Sequence, residues 1–320
     1  MALITNRKKA VKMVDTLKEK KVSMAIFCTA SHWNTEAILL AADRFARKHG
    51  IEEIPLAVAM TVNYKNMPQA KRVTYTGDAK AGFLSNMEHL RVLCAAEDAP
   101  YNHVSVLPHL DHADPVKDKW ALTEGLPYLA SVMFDAQTYP LDDNISMTRD
   151  YIKKYGRQVL IEGVMEELAV EGRYEGHRDG LYVEKAVNYC NRTGVDFLVA
   201  DLGTEQQSSG TEMCEYLSEI ARELTKSLGR SMLVLHGASC LSEAQMRTIP
   251  EDGVVRVNMW TRIAREAGQY AADKLVERMG QVREGDFEAA ESKQYIYDSI
   301  EKAAQIMEGI LGILGYQNLA

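Results

Sequence analysis

The stretch His103–His112, H-V-S-V-L-P-H-L-D-H, decides the fold. It opens as a short, near-continuous apolar run, the pattern of a strand buried on both faces of a parallel sheet. It ends in ionisable side chains, so a strand expected over His103–His109 delivers Asp111 and His112 at its C-terminal end.

The same design recurs along the chain. Further runs are Ser23–Thr29, Pro55–Thr61, Leu129–Asp135, Gln158–Gly163, Phe197–Gly203, Met232–Ala238 and Val254–Met259. Helix-like stretches lie between them, among them Thr35–His49, Ile145–Tyr155, Val183–Thr193, Met213–Leu228 and Ser242–Ile249. Eight strand–helix alternations predict an α/β fold closed as a (β/α)8 TIM barrel. The competing open, doubly wound sheet would carry G-x-G-x-x-G after its first strand, and none is present. The reading is one barrel domain over residues 1–320. Two features depart from the regular period: a long polar connection near 62–102, read as an insertion forming a lid or subunit contact, and an amphipathic helical tail near 286–315. In the tail, Ile296, Ile300, Ala303, Ile306 and Ile310 recur at helical spacing.

Composition narrows the function. Of 320 residues, 46% are hydrophobic and 26% charged, and the net charge of −8 comes without a basic stripe. That argues against a nucleic-acid partner. Apolar positions interrupt the basic segment Arg7–Lys21 at helical spacing, as in a surface helix. No apolar run approaches the roughly 20 residues of a membrane helix. The five cysteines, Cys28, Cys94, Cys190, Cys214 and Cys240, are odd in number and lack metal-ribbon spacing. Mostly buried thiols, no disulfide framework and a cytoplasmic location are expected.

Barrel chemistry sits at the C-terminal ends of the strands. Those ends carry Cys28-Thr29, Thr61, Asp111-His112, Asp135, Glu162, Asp201 with Gly203-Thr204-Glu205-Gln206, His236-Gly237-Ala238-Ser239 and Asn258-Met259-Trp260-Thr261. A lone strand-end histidine is more often structural than a ligand. Two of them beside several carboxylates match the preferences of a divalent metal of zinc or manganese type. Gly237, Ser239, Asn258 and Thr261 offer small residues, backbone N–H groups and hydroxyls, the material of a phosphate cradle. An ordinary loop with a helix cap is the plainer alternative.

The string His109-Leu110-Asp111-His112 resembles the HLDH signature of the class II, metal-dependent fructose- and tagatose-bisphosphate aldolases. Ser131–Pro140 followed by Asp143-Asn144-Ile145, Thr193–Asp196 followed by Leu202–Thr204, Leu233–Ser239 and Val257–Thr261 resemble further family segments in the same order. The resemblance covers most of the chain from about Ser23. It implies metal ligation by His112 and His236, acid/base chemistry at Asp111, phosphate contacts at Gly203, Gly237, Ser239, Asn258 and Thr261, and a metal-adjacent or structural role for Asp135. It also implies a divalent metal (zinc in the family, with manganese, cobalt or magnesium as alternatives), a possible monovalent cation and a homo-oligomer, dimeric or tetrameric. The reaction implied is aldol cleavage or formation of a phosphorylated ketose, through the enediolate of dihydroxyacetone phosphate and an aldehyde.

Several positions depart from the family pattern. Gln206 stands where the family places its third metal histidine. The strand 5 glutamate motif is blurred between Glu162 and Glu167. Asp201 is extra, Asp135-Ala136-Gln137 replaces D-G-S, and Arg262 stands where an acidic residue is common. The expectation is a metal shell of His112 and His236 completed from Glu162, Glu205, Asp201 or Gln206. A ketose-phosphate isomerase or epimerase using the same enediolate, and a catalytically weak sugar-phosphate-binding relative, are the alternatives.

Overall fold

In the computed structural model, which describes residues 3–96, 98–166, 170, 180–208 and 214–320, each apolar run contains a strand. They are β1 (Met24–Cys28), β2 (Ile54–Thr61), β3 (Val104–Ala113), β4 (Ser131–Phe134), β5 (Leu160–Val164), β6 (Phe197–Val199), β7 (Leu233–Leu235) and β8 (Val254–Met259). Neighbours pair in parallel in chain order, and β8 closes on β1. The protein is a (β/α)8 TIM barrel. Every strand residue is buried. That is why the strands read as apolar runs instead of alternating.

Helices α1 (Arg7–Glu19), α2 (His32–His49), α3 (Ala70–Val73), α4 (Ala79–Cys94), α5 (Leu141–Tyr155), α6 (Tyr182–Thr193), α7 (Ser218–Leu228), α8 (Glu243–Met246), α9 (Thr261–Arg283), α10 (Phe287–Ala290) and α11 (Ser292–Ile313) cover the sheet. Side-chain caps start several of them: Asn6 accepts from Lys9 N–H, Ser31 from Asn34 N–H and Asp78 from Ala81 N–H. In α1, Ala10, Val14 and Leu17 turn inward and leave the lysines at the surface.

The 62–102 connection is not one long loop. It holds α4, which buries Phe83, Met87, Leu90 and Cys94 in the place of the regular helix between β2 and β3. Polar residues on its outer face hid that helix in the sequence. In the tail, α11 packs against α2 and α9, burying Ile300, Ala303 and Ile310. Beyond it, the buried Tyr316 hydroxyl accepts from Ala25 N–H and donates to the Pro55 carbonyl, both at 2.9 Å. The C-terminus thus ties β1 to β2. Among the described residues no helix is long and apolar enough to cross a membrane.

The cysteine reading needs one correction. Cys28, Cys94 and Cys190 are free and buried, but Cys214 and Cys240 form a disulfide with Cα atoms 5.6 Å apart. The two follow β6 and β7, which are neighbours in the barrel, so a separation of 26 residues closes into contact. Cysteine parity and spacing cannot reveal that. Cysteine usage therefore no longer argues for a reducing compartment.

Candidate active site

Strand β3 extends past the expected end, to Ala113, and its final turn builds the site. Successive strand residues normally point to opposite faces. Here the pairing with β4 shifts register between Leu110 and Ala113, and His112 has φ +45°. An irregularity of this kind re-aims side chains. A left-handed histidine is uncommon enough to be a functional signal. Asp111 and His112 consequently face one cleft, joined from β7 by His236.

One ligand atom from each of Asp111, His112 and His236 lies within 4.8 Å of the others, and all three residues are buried. His112 is locked by Asp135, whose Oδ2 pairs with His112 Nδ1 at 2.8 Å, leaving Nε2 for the cleft. Asp135 is itself held by Gln137, whose side-chain amide donates to the same oxygen at 2.9 Å. Carboxylate support of this kind is common behind metal-binding histidines. His236 Nε2 and Asp111 Oδ1 are buried with no protein partner. Uncompensated polar atoms in such a place are costly unless something else satisfies them.

Burial and neighbouring charges set the protonation states in opposite directions. Burial pushes the His236 imidazole down to about 4, so it is neutral near neutral pH and keeps a lone pair. Burial also opposes charge on His112, but Asp111 and Asp135 outweigh it and its pKa is raised. Burial would raise Asp111, yet His112, His236 and His109 outweigh that and hold it below the usual carboxylate range. Asn258 Nδ2 donates to Asp111 Oδ2 at 3.0 Å, and Cys28 Sγ lies 3.1 Å from Asn258 Oδ1. Asn258, expected to touch phosphate, is thus tied to the aspartate.

Beside the cluster, the cleft is lined by Gly237, Ser239, Asn258 and Thr261, and by Cys28, Thr61, Gln69 and Gln206. Gly237 has φ +71°, and a Cβ there would meet the Glu205 carbonyl at 2.7 Å. Only glycine lets the β6 and β7 loops approach so closely. Ser239 Oγ accepts from Arg262 N–H at 3.3 Å, and Thr261 opens α9. The hydroxyls and the α9 N-terminus therefore share one wall.

Four expected residues are not brought into the cluster. Glu162 lies in mid-strand, since β5 runs on to Val164. Its carboxylate is buried in an ion pair with Arg256. Glu205 is half-buried and joins no metal-competent group among the described residues. Asp201 turns back on its own loop, accepting from Gly203 N–H at 3.0 Å. Gly203 is a turn residue at φ +87°, where a Cβ would strike the Glu215 carbonyl at 2.2 Å, and it does not line the cleft. Glu167, the other strand 5 candidate, lies outside the described residues.

Sequence reasoning missed Arg256, His109 and Tyr64. A charged residue inside the apolar run V-V-R-V-N-M was the available signal for Arg256. Tyr64 lies on the loop after β2, and its ring stacks on His112 with centroids 4.1 Å apart and planes 8° apart.

The chain is a closed parallel barrel with a histidine–aspartate cleft at the C-terminal ends of its strands, the end at which barrel enzymes carry their active sites. Residues 8–318 match the family described as fructose-bisphosphate aldolase class-II, and the chain belongs to that family. Among curated proteins it is 32% identical over 167 residues to 6-phospho-5-dehydro-2-deoxy-D-gluconate aldolase of Shouchella clausii, covering 49% of this chain and 53% of that one. It is 30% identical over 226 residues to the enzyme of the same name from Bacillus subtilis, covering 64% and 73%. The alignments with the first of these relatives thus span little more than half of their length. Among solved structures, fructose-bisphosphate aldolase of Campylobacter jejuni superposes with a TM-score of 0.73 at 18% identity, covering 100% of this chain and 97% of that one. The YdjI aldolase of Escherichia coli K12 gives 0.64 at 18% identity, covering 94% of each. At 18% identity these structural likenesses show the fold.

Proposed function

We propose that this chain cleaves or forms a carbon–carbon bond in a phosphorylated ketose, with a divalent metal held by His112 and His236 and with Asp111 as the acid/base group. The observation that carries the reading is the buried Asp111–His112–His236 cluster, with His112 oriented by Asp135 and with His236 Nε2 unpartnered. A neutral imidazole with a free lone pair, a second imidazole fixed by a carboxylate and an adjacent carboxylate form a donor set that fits such an ion. When bound, the metal would supply Lewis-acid polarisation of the ketone and stabilise the enediolate.

The chain's own groups do the rest. Asp111, kept ionised, takes the proton from the hydroxyl at the cleaved bond as that bond's electrons move to the enediolate and the aldehyde departs. In condensation it returns the proton. Asn258 holds Asp111 in position through Oδ2. Gly237, Ser239 and Thr261, beside the α9 N-terminus, receive the phosphate and orient the three-carbon fragment. The 6-phospho-5-dehydro-2-deoxy-D-gluconate aldolases to which the chain is similar act, by their name, on a phosphorylated substrate, which supports one here.

The test is product analysis with a panel of ketose mono- and bisphosphates, using metal-loaded and chelator-treated protein. Cleavage to dihydroxyacetone phosphate and an aldehyde is expected, lost on chelation and restored by metal. Asp111→Asn should keep its metal and lose about 10²–10⁴-fold in cleavage. Full activity in metal-free protein, or products that are only isomers of the substrate, overturns the reading.

A further inference from the structure

The loop after β2 is anchored where it leaves and re-enters the barrel. Thr61 N–H donates to Gln69 Oε1 at 2.9 Å, and Gln69 N–H donates to Thr61 Oγ1 at 3.0 Å. Asn63 donates to Asp118 Oδ1 from its backbone at 3.1 Å and its side chain at 2.9 Å. This pinned loop carries Tyr64 over His112 and puts its hydroxyl 3.2 Å from Gln206 Oε1. Asn66 Nδ2 donates to the Tyr64 oxygen at 2.9 Å.

The chain of bonds has a direction. The Tyr64 oxygen accepts from Asn66, and its own hydrogen is donated to the Gln206 amide oxygen. The amide oxygen is thus the hydrogen-bonded end, and the amide nitrogen is buried without a hydrogen-bond partner among the described residues. Gln206 lines the same cleft as Asp111, His112 and His236. His112 Nδ1 is occupied by Asp135, so the nitrogen left for the cleft is Nε2. A carboxamide ligates a metal through oxygen, since its nitrogen lone pair is delocalised into the amide.

We propose that Tyr64 is a positioning residue that presents the Gln206 carboxamide oxygen as the third protein ligand, in place of the histidine usual in the family. The inference rests on the metal reading of the site. Replacing imidazole by a harder oxygen donor shifts preference from zinc toward manganese, cobalt or magnesium. Asn66 completes the device by fixing the direction of the Tyr64 hydroxyl.

The experiment compares wild type, Tyr64→Phe, Gln206→His and the double variant, with folding checked by circular dichroism. Affinities for Zn²⁺, Co²⁺ and Mn²⁺ are measured by competition with a chromophoric chelator, and the ligand set is read from the absorption spectrum of the Co²⁺ form. Tyr64→Phe keeps the stacked ring and removes only the hydroxyl. Metal affinity should fall about 10- to 100-fold, the usual cost of losing a group that orients a ligand. Gln206→His should alter the Co²⁺ spectrum and favour Zn²⁺. In that background, Tyr64→Phe should change little. An unchanged Co²⁺ spectrum in Gln206→His, or wild-type affinities in Tyr64→Phe, overturns the proposal while leaving the metal reading intact. Wild-type protein that binds none of the three ions overturns both.

Discussion

Two buried polar clusters are stacked along the barrel axis, and they are built from nearly the same residue types. The upper one, at the mouth, holds Asp111, His112 and His236. The lower one holds His109, Glu162, Ser131 and Arg256. His109 Nδ1 lies 2.8 Å from Ser131 Oγ, Arg256 donates to the same oxygen at 3.1 Å, and Glu162 pairs with Arg256. They nearly touch, since His109 Nε2 is 3.5 Å from Glu162 and 4.0 Å from Asp111. The lower cluster contains its own counter-charge. Among the described residues, the upper one pairs its carboxylates with imidazoles, Asp111 with His109 and Asp135 with His112, and with no lysine or arginine. A histidine–carboxylate cluster closed by a guanidinium is a structural plug, whereas one left without a fixed cation is competent to take an ion from outside.

Breaking the lower cluster should give the largest effect on the fold. Arg256→Met leaves Glu162 fully buried without its partner. Removing one member of a buried ion pair typically costs about 3–5 kcal/mol, read as a shifted denaturant midpoint. Replacing both, Glu162→Leu with Arg256→Met, should recover most of that loss, because the desolvation of two charges disappears with them. The double variant remaining as unstable as the single one would show that the cluster does more than neutralise itself. Burial raises the Glu162 pKa even against the pull of Arg256, which marks how poorly that site tolerates an unpaired carboxylate.

Asp135→Asn sharpens the comparison at the upper cluster. The amide can no longer hold His112 Nδ1–H and the Gln137 amide by charge. Divalent-metal affinity should fall by about 10- to 100-fold, with a stability change far smaller than that of Arg256→Met. Chelator titration checks the first and denaturation the second. Equal metal affinity in the variant would mean that the His112 ring is positioned by its stacking on Tyr64 instead.

The same contrast explains what was legible in the sequence. Burial on both faces makes strands recognisable, and the side chains after each run are then forced toward the mouth. Asp111, His112 and His236 could be found that way. Glu162 misled because the apolar run ended near it, while β5 continues to Val164 and keeps Glu162 inside the barrel. Its partner comes from β8, across the interior, and no local pattern reports which strands face each other at one level. Tyr64 was hidden for a different reason. The path of the β2 loop depends on Thr61, Gln69 and Asp118, and such side-chain anchors have no periodicity. The Cys214–Cys240 pair was hidden because it depends on two neighbouring loops meeting.

The smallest effect is expected at the wall formed by the β7 and β8 loops. Ser239 Oγ now accepts from Arg262 N–H at the start of α9. In the proposed complex the hydroxyl also donates to phosphate, beside backbone N–H groups that remain in any variant. Ser239→Ala removes one donor from a site that keeps several, so about 1 kcal/mol of binding should be lost. That corresponds to roughly a fivefold rise in KM. Substrate and transition state share the phosphate contact equally, so kcat should stay near wild type. The control is an unphosphorylated ketose, whose poor turnover should be indifferent to the substitution. A matching loss with both substrates would place the phosphate away from the β7 and β8 loops and leave Ser239 as a helix cap alone.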